Sequence, residues 1–173
     1  MKRLCALALL CAVLWLTGCG AASVRLTYSG GGESERRETE STEGEGADYA
    51  ALNRRGYNYQ HGIGVTADIG KAVECYTEAA EHGVPEAITN LGWCYERGAG
   101  VAQSYERALE LYTKAAGLGE AMAMNNLGWL YENGYGVERS FTTAHEWYAR
   151  AADAGCDLAE ENLAYLEENG LAG

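Results

Sequence analysis

The sequence returns to the same residues every 36 positions, with no insertion over three cycles. Leu91-Gly92-Trp93-Cys94-Tyr95 comes back as Leu127-Gly128-Trp129-Leu130-Tyr131. Gly62, Gly98 and Gly134 share one phase, as do Ala72/Ala108/Ala144, Tyr76/Tyr112/Tyr148 and Gly83/Gly119/Gly155. A fixed period of this length means one supersecondary unit stacked on copies of itself, each covering the apolar face its neighbour leaves bare. Such arrays usually present a surface rather than house a reaction.

Within one unit, residues 84–119, the apolar positions Ala87, Ile88, Leu91 and Tyr95 follow the spacing of an amphipathic helix. Pro85 suits its first turn, where the missing N–H would be unpaired anyway. Gly98 then ends the helix as a left-handed cap. Ser104 caps the next helix, as Asp68 and Ser140 do in the same phase. Ala108, Leu111, Tyr112 and Ala115 form the second stripe, which Gly119 closes. Each unit is therefore a helical hairpin. The units fall at 48–83, 84–119 and 120–155, with a partial one at 156–173, so the domain 48–173 is predicted to be an all-α solenoid of seven helices. Tyr59, Tyr95 and Tyr131 are predicted core residues, and Trp147 should cover the second-helix layer. Gly92, repeated as Gly56 and Gly128, is costly inside a helix, by about 1 kcal/mol against alanine. Its return predicts that a backbone or a tyrosine ring comes very close there. Arg54 and Arg55, and the glutamates of the last helix (Glu160, Glu161, Glu167, Glu168), read as polar end caps.

The unit Ala-x-x-Asn-Leu-Gly-x-x-Tyr-x-x-Gly-x-Gly-Val, then Ala-x-x-x-Tyr-x-x-Ala-Ala-x-x-Gly, resembles the Sel1-like repeat, a relative of the tetratricopeptide repeat. The resemblance covers residues 48–173. It implies a right-handed superhelix of helix pairs and a role in assembling other proteins, without naming a ligand. It also implies that the first helix of each pair lines the concave face. On that mapping the residue after the helix glycine points into the groove, which gives a ladder of Tyr57, Trp93, Trp129 and Tyr165. One turn earlier lie Asn53, Thr89, Asn125 and Glu161. Aromatic faces supply contact area at low entropic cost, and amides can pair with a peptide backbone. The candidate partner-binding residues are thus Tyr57, Trp93, Trp129, Tyr165, Asn53 and Asn125. The alternative is that the ladder packs between repeats.

Ahead of the repeats, Lys2 and Arg3 precede an apolar run from Leu4 to Leu16 that is too short for a bilayer, which needs roughly 20 residues. The run ends in Leu16-Thr17-Gly18-Cys19, which resembles the bacterial lipoprotein lipobox. That resemblance implies a signal peptide over 1–18, lipid on Cys19 and an extracytoplasmic protein. It would lie on the outer membrane facing the periplasm in a Gram-negative cell, or on the surface of a Gram-positive one. Residues 20–47 are rich in Gly, Ser, Thr and Glu. They are expected to form a disordered tether with an average reach of roughly 30 Å. Removing Lys2 and Arg3 leaves 13 − 2 = 11 basic residues against 25 acids, a formal net charge of −14. This balance argues against nucleic acid, and against membrane contact other than through the lipid, since both need positive charge.

Four of six cysteines survive processing: Cys19, Cys75, Cys94 and Cys156. Cys75 and Cys94 occupy phases held elsewhere by Leu or Trp and read as small core residues; a Cys75–Cys94 bridge is the alternative. Cysteine-rich members of the resembled family place two cysteines eight residues apart in each repeat, a spacing absent here. No metal-binding spacing and no cofactor motif occurs, and His61, His82 and His145 share no phase. Some cysteine-rich Sel1 proteins are described as β-lactamase-like, yet the Ser-x-x-Lys tetrad is missing: the helix-opening serines lead to Arg107 and Thr143. His145-Glu146 lacks a second histidine, and Gly64–Lys71 misses the phosphate-loop spacing. An enzyme is not expected. A protein or peptide is the expected partner, with cell-wall glycan or stem peptide as the alternative.

Overall fold

The computed structural model describes residues 48–171, which form seven helices in hairpin order. The expected signal peptide (1–18), Cys19 and the expected tether (20–47) lie outside the described residues. The helices are α1 (Tyr49–His61), α2 (Ile69–Glu81), α3 (Pro85–Arg97), α4 (Tyr105–Gly117), α5 (Ala121–Asn133), α6 (Phe141–Asp153) and α7 (Asp157–Glu168). The first six have 13 residues each and the last has 12. Packing is densest within the pairs α1–α2, α3–α4 and α5–α6, and each second helix lies on the first helix that follows it. This is the all-α solenoid that the period requires.

The helix ends follow from local chemistry. Asp68, Ser104 and Ser140 accept hydrogen bonds from the free N–H groups of Lys71, Arg107 and Thr143. Glu120 caps α5 in the same way through Ala123, an acceptor the periodic reading does not identify. Gly98 and Gly134 end α3 and α5 at φ of 67° and 70°, the left-handed region where a side chain would be strained.

The core is organised by three tyrosines. Tyr76, Tyr112 and Tyr148, each 0% exposed, stand on the second helices and pack against the first helix of their own unit. The bare backbone there belongs to Gly56, Gly92 and Gly128. A Cβ on these glycines would sit 2.8, 2.7 and 2.6 Å from the respective ring atoms. The recurrent helix glycine is therefore a seat for a ring. In α7 the equivalent residue is Ala164, and among the described residues no helix follows to bring a tyrosine against it.

Each phenol also finds an acceptor in its own hairpin. Tyr76 donates to Gln60 (2.7 Å), Tyr112 to Glu96 (2.9 Å) and Tyr148 to Glu132 (2.7 Å). Glu96 is itself buried and ion-paired with Arg97, Oε1 to Nε at 3.0 Å. Burial first, and for Tyr112 and Tyr148 the neighbouring carboxylate, push these phenols well above the ordinary 10.0.

One expectation changes in detail. Tyr59, Tyr95 and Tyr131 are half-buried on the flank of the core rather than inside it. Arg55 and Lys71 lie over the Tyr59 ring at 5.6 and 5.5 Å, a position that a fully enclosed tyrosine would not offer. The Tyr59 ring thus stands at the helix edge, where basic side chains cover it. Trp147 is likewise half-buried, with Arg150 over its ring at 4.1 Å.

Gly128→Ala should lower unfolding stability in urea by about 1–3 kcal/mol, because the methyl collides with the Tyr148 ring. Gly117→Ala, where a Cβ meets nothing within 4 Å, should instead raise it by about 0.4–1 kcal/mol. The tyrosines also set an alkaline limit. A phenol with a raised folded pKa leaves stability intact below 10.0, its unfolded value. Stability is then lost as pH climbs from there toward the folded pKa. Urea midpoints should hold steady to pH 9 and fall above about pH 10, with tyrosinate absorbance appearing as the chain unfolds.

Candidate partner-binding face

The ladder residues keep an accessible edge that the core tyrosines of the same period do not. Tyr57 is 48% exposed and Tyr165 53%, while Trp93 and Trp129 are half-buried, one side against the core. Tyr57, Trp93 and Trp129 sit one residue after the ring-seating glycine, and Tyr165 one after its counterpart Ala164. The glycine faces the second helix, so its successor is rotated by about 100° toward the helix flank. The tyrosine clasp therefore fixes where the ladder points.

The end rungs and the middle rungs differ in their surroundings. Tyr57 meets the ring of His61 one turn on, centroids 4.1 Å apart. Trp129 belongs to a larger cluster. Tyr135, in the loop after α5, lies 5.1 Å from it and stacks on Tyr105 at the start of α4, at 4.6 Å. Arg97, from the preceding first helix, sits 5.8 Å over the indole. Two units thus contribute to one aromatic and cationic patch. The periodic reading does not single out Tyr105 or Tyr135, although Phe141 stands one period after Tyr105.

The polar positions one turn earlier are mostly spent on joining repeats. Asn90 of α3 donates to the Asn53 carbonyl of α1 at 2.9 Å, and Asn162 of α7 donates to that of Asn125 in α5 at the same distance. The spacing is 37 residues in both cases, one more than the period, because the donor stands one place later in its unit. Asn125 is buried and Asn53 half-buried. Thr89, which replaces asparagine in the middle unit, is also buried. Its single hydroxyl proton is shared between two acceptors within reach, the Pro85 carbonyl at 3.0 Å and the Glu120 carboxylate at 2.9 Å. Glu161 is exposed. The amides therefore zip the first helices edge to edge, and the aromatics beside them present the more accessible surface.

The remaining candidates are structural. Cys75, Cys94 and Cys156 are free and buried. Burial pushes the Cys94 thiol up to about 11 and raises that of Cys75. His82 stacks on Tyr49 at 3.6 Å, and His145 lies 3.5 Å from Glu167.

The family model for the Sel1 repeat matches the chain three times, at residues 50–84, 85–120 and 121–156. Among solved structures, a Sel1 repeat protein from Oxalobacter formigenes is 33% identical with a TM-score of 0.68, over 71% of this chain and 50% of that one. A protective antigen present in uropathogenic Escherichia coli strains, displaying an SLR fold, is 34% identical with a TM-score of 0.66, over 72% of this chain and 27% of its own. The chain thus spans about a quarter to a half of these two. Cysteine rich protein B of Helicobacter pylori shares the fold at 22% identity, with a TM-score of 0.56 over 66% of this chain and 89% of that one. No curated protein matches the chain.

Asn125→Ala should lower stability by about 1 kcal/mol in urea denaturation, by leaving the Asn162 amide without its partner. Glu161→Ala, at the equivalent but exposed place, should stay within about 0.5 kcal/mol of the parent.

Proposed function

We propose, since the chain belongs to the Sel1 repeat family, that it is a lipid-tethered extracytoplasmic scaffold that binds a protein or peptide along its first helices. One observation carries this reading. Of the three aromatic series at the same period, one is wholly enclosed (Tyr76, Tyr112, Tyr148) and one flanks the core half-buried (Tyr59, Tyr95, Tyr131), whereas the ladder keeps an accessible edge on every unit and opens furthest, to 48% at Tyr57 and 53% at Tyr165. The ladder rungs repeat at the spacing of the units, so an extended segment crossing them would meet one aromatic per repeat. The role assigned is binding and not catalysis, with no cofactor or metal. The concave placement of the face rests on the resemblance to tetratricopeptide stacks. The anchor rests on the lipobox at Leu16–Cys19.

Tryptophan emission gives the readout. Iodide should quench part of the Trp93 and Trp129 emission in the native protein, and complete protection of both would remove the groove. A bound peptide should suppress that quenching. The double variant Trp93→Ala/Trp129→Ala should weaken peptide binding by at least about tenfold, since aromatic anchors carry roughly 1.4 kcal/mol or more each. A response to cell-wall fragments and not to a peptide library would replace the protein partner by a glycan or stem peptide. For the anchor, Cys19→Ser should release the protein from the membrane fraction.

A further inference from the structure

A different surface, at the α1 end of the solenoid, has the form of an unfilled helix seat. In three places the structure shows what belongs on a first helix: α2 lies on α3, α4 on α5 and α6 on α7. The contacts are specific. At the start of the overlying helix, a Cβ on Gly100 would meet the Ile69 carbonyl oxygen at 3.1 Å, and one on Gly136 would meet the Tyr105 carbonyl carbon at 2.8 Å. At its end, Lys114 donates to the Ala80 carbonyl at 3.4 Å, and Leu91 and Lys114 share a small cavity with Thr77, Ala80 and Glu81. Among the described residues, α1 carries no such helix.

The corresponding residues of the first unit are open. A Cβ on Gly64, the counterpart of Gly100 and Gly136, would meet nothing within 4 Å. Ile63 and Val65 beside it are 52% and 42% exposed, whereas the later counterparts of Val65, Val101 and Val137, are half-buried. Further along, Tyr49, Ala51, Leu52, Arg55 and Glu78 line an open cavity of about 270 Å³ together with Asp48. Tyr49, Leu52, Arg55 and Glu78 match Pro85, Ile88, Leu91 and Lys114 one period on. The seat is as long as a 13-residue helix, with Ile63 and Val65 at one end and Leu52 at the other.

The charges say what kind of helix fits. Arg55 replaces the leucine of later units, and Glu78 replaces Lys114 and Arg150. Of the second helices of this chain, α2 and α6 would bring an acid (Glu81, Asp153) against Glu78, and α4, with Gly117 there, would still bring the negative end of its dipole. A second copy also has no second-type helix to offer, because α2, α4 and α6 are each seated already. We propose that the α1 end is a docking seat for an amphipathic helix of a partner protein. Its last turn carries a basic residue facing Glu78, and an acid one turn earlier faces Arg55. The pairing of opposite charges at both points fixes direction and register.

The experiment uses the full chain in detergent micelles and a lactam-stapled, fluorescently labelled peptide of the α4 sequence, Tyr105–Gly117. The peptide carries Thr113→Glu and Gly117→Lys, the places that match Thr77 and Glu81, and circular dichroism establishes its helicity beforehand. Anisotropy should rise saturably. The protein variant Arg55→Glu/Glu78→Lys should bind this peptide at least about tenfold more weakly. The same variant should recover binding to the reversed peptide, Thr113→Lys/Gly117→Glu. Trp93→Ala/Trp129→Ala should leave the titration unchanged, which separates this seat from the aromatic ladder. Binding of neither peptide, equal binding of both, or no effect of the double charge reversal would each overturn the proposal and leave the end as a solvated cap.

Discussion

A tyrosine ring laid on a bare stretch of helix backbone is the contact on which this solenoid depends. Helix propensity alone favours alanine at Gly56, Gly92 and Gly128, by about 1 kcal/mol each. Burying a whole aromatic ring offsets that cost, since a tyrosine hides on the order of 150–250 Å². The ring comes closer than any Cβ would permit, so the two helices of a hairpin approach to a single distance and angle. The phenol is then carried into a dry layer, where an unpaired hydroxyl would be costly. Gln60, Glu96 and Glu132 supply the acceptor. One apolar contact thus calls for one polar contact, and the pair is repeated with the period.

The clasp decides what is left over for binding. With the glycine facing its second helix, the next residue is turned aside and becomes a rung of the ladder, while the residue one turn earlier meets the neighbouring first helix and forms an amide zip. The same side-chain types therefore divide into joining and presenting roles according to one or two places of register. The ends of the array follow the same logic. Where the periodic contact has no partner, as at Gly64 and Leu52, apolar surface stays open. There the charges depart from the repeat, with Arg55 and Glu78 in place of leucine and a base.

Much of this was legible from spacing. The helical hairpins, the seven helices, the Asp and Ser caps and the close approach at the helix glycine all follow from residues that recur in phase, because their causes are local or repeat identically. The cross-unit contacts were harder to read. Asn53 and Asn125 stand out as amides near the ladder, yet their partners lie 37 residues away, off the period, so no in-phase comparison exposes the bond. Glu120 as a cap and Thr89 as its donor replace the usual residues in one unit only. Tyr59, Tyr95 and Tyr131 share a phase but not an enclosed site, since one repeat position records which side of a helix a residue occupies and not how deep it lies.

By itself the sequence determined the unit, its length, its two helices and the ring that locks them, since each is set by neighbours within a single period. Tertiary structure alone decided which polar groups serve the joints, how much of Trp93 and Trp129 stays open, and that among the described residues no helix covers the α1 end. Those outcomes depend on what stands on the far side of each helix, and a chain of letters specifies that only once the units are stacked.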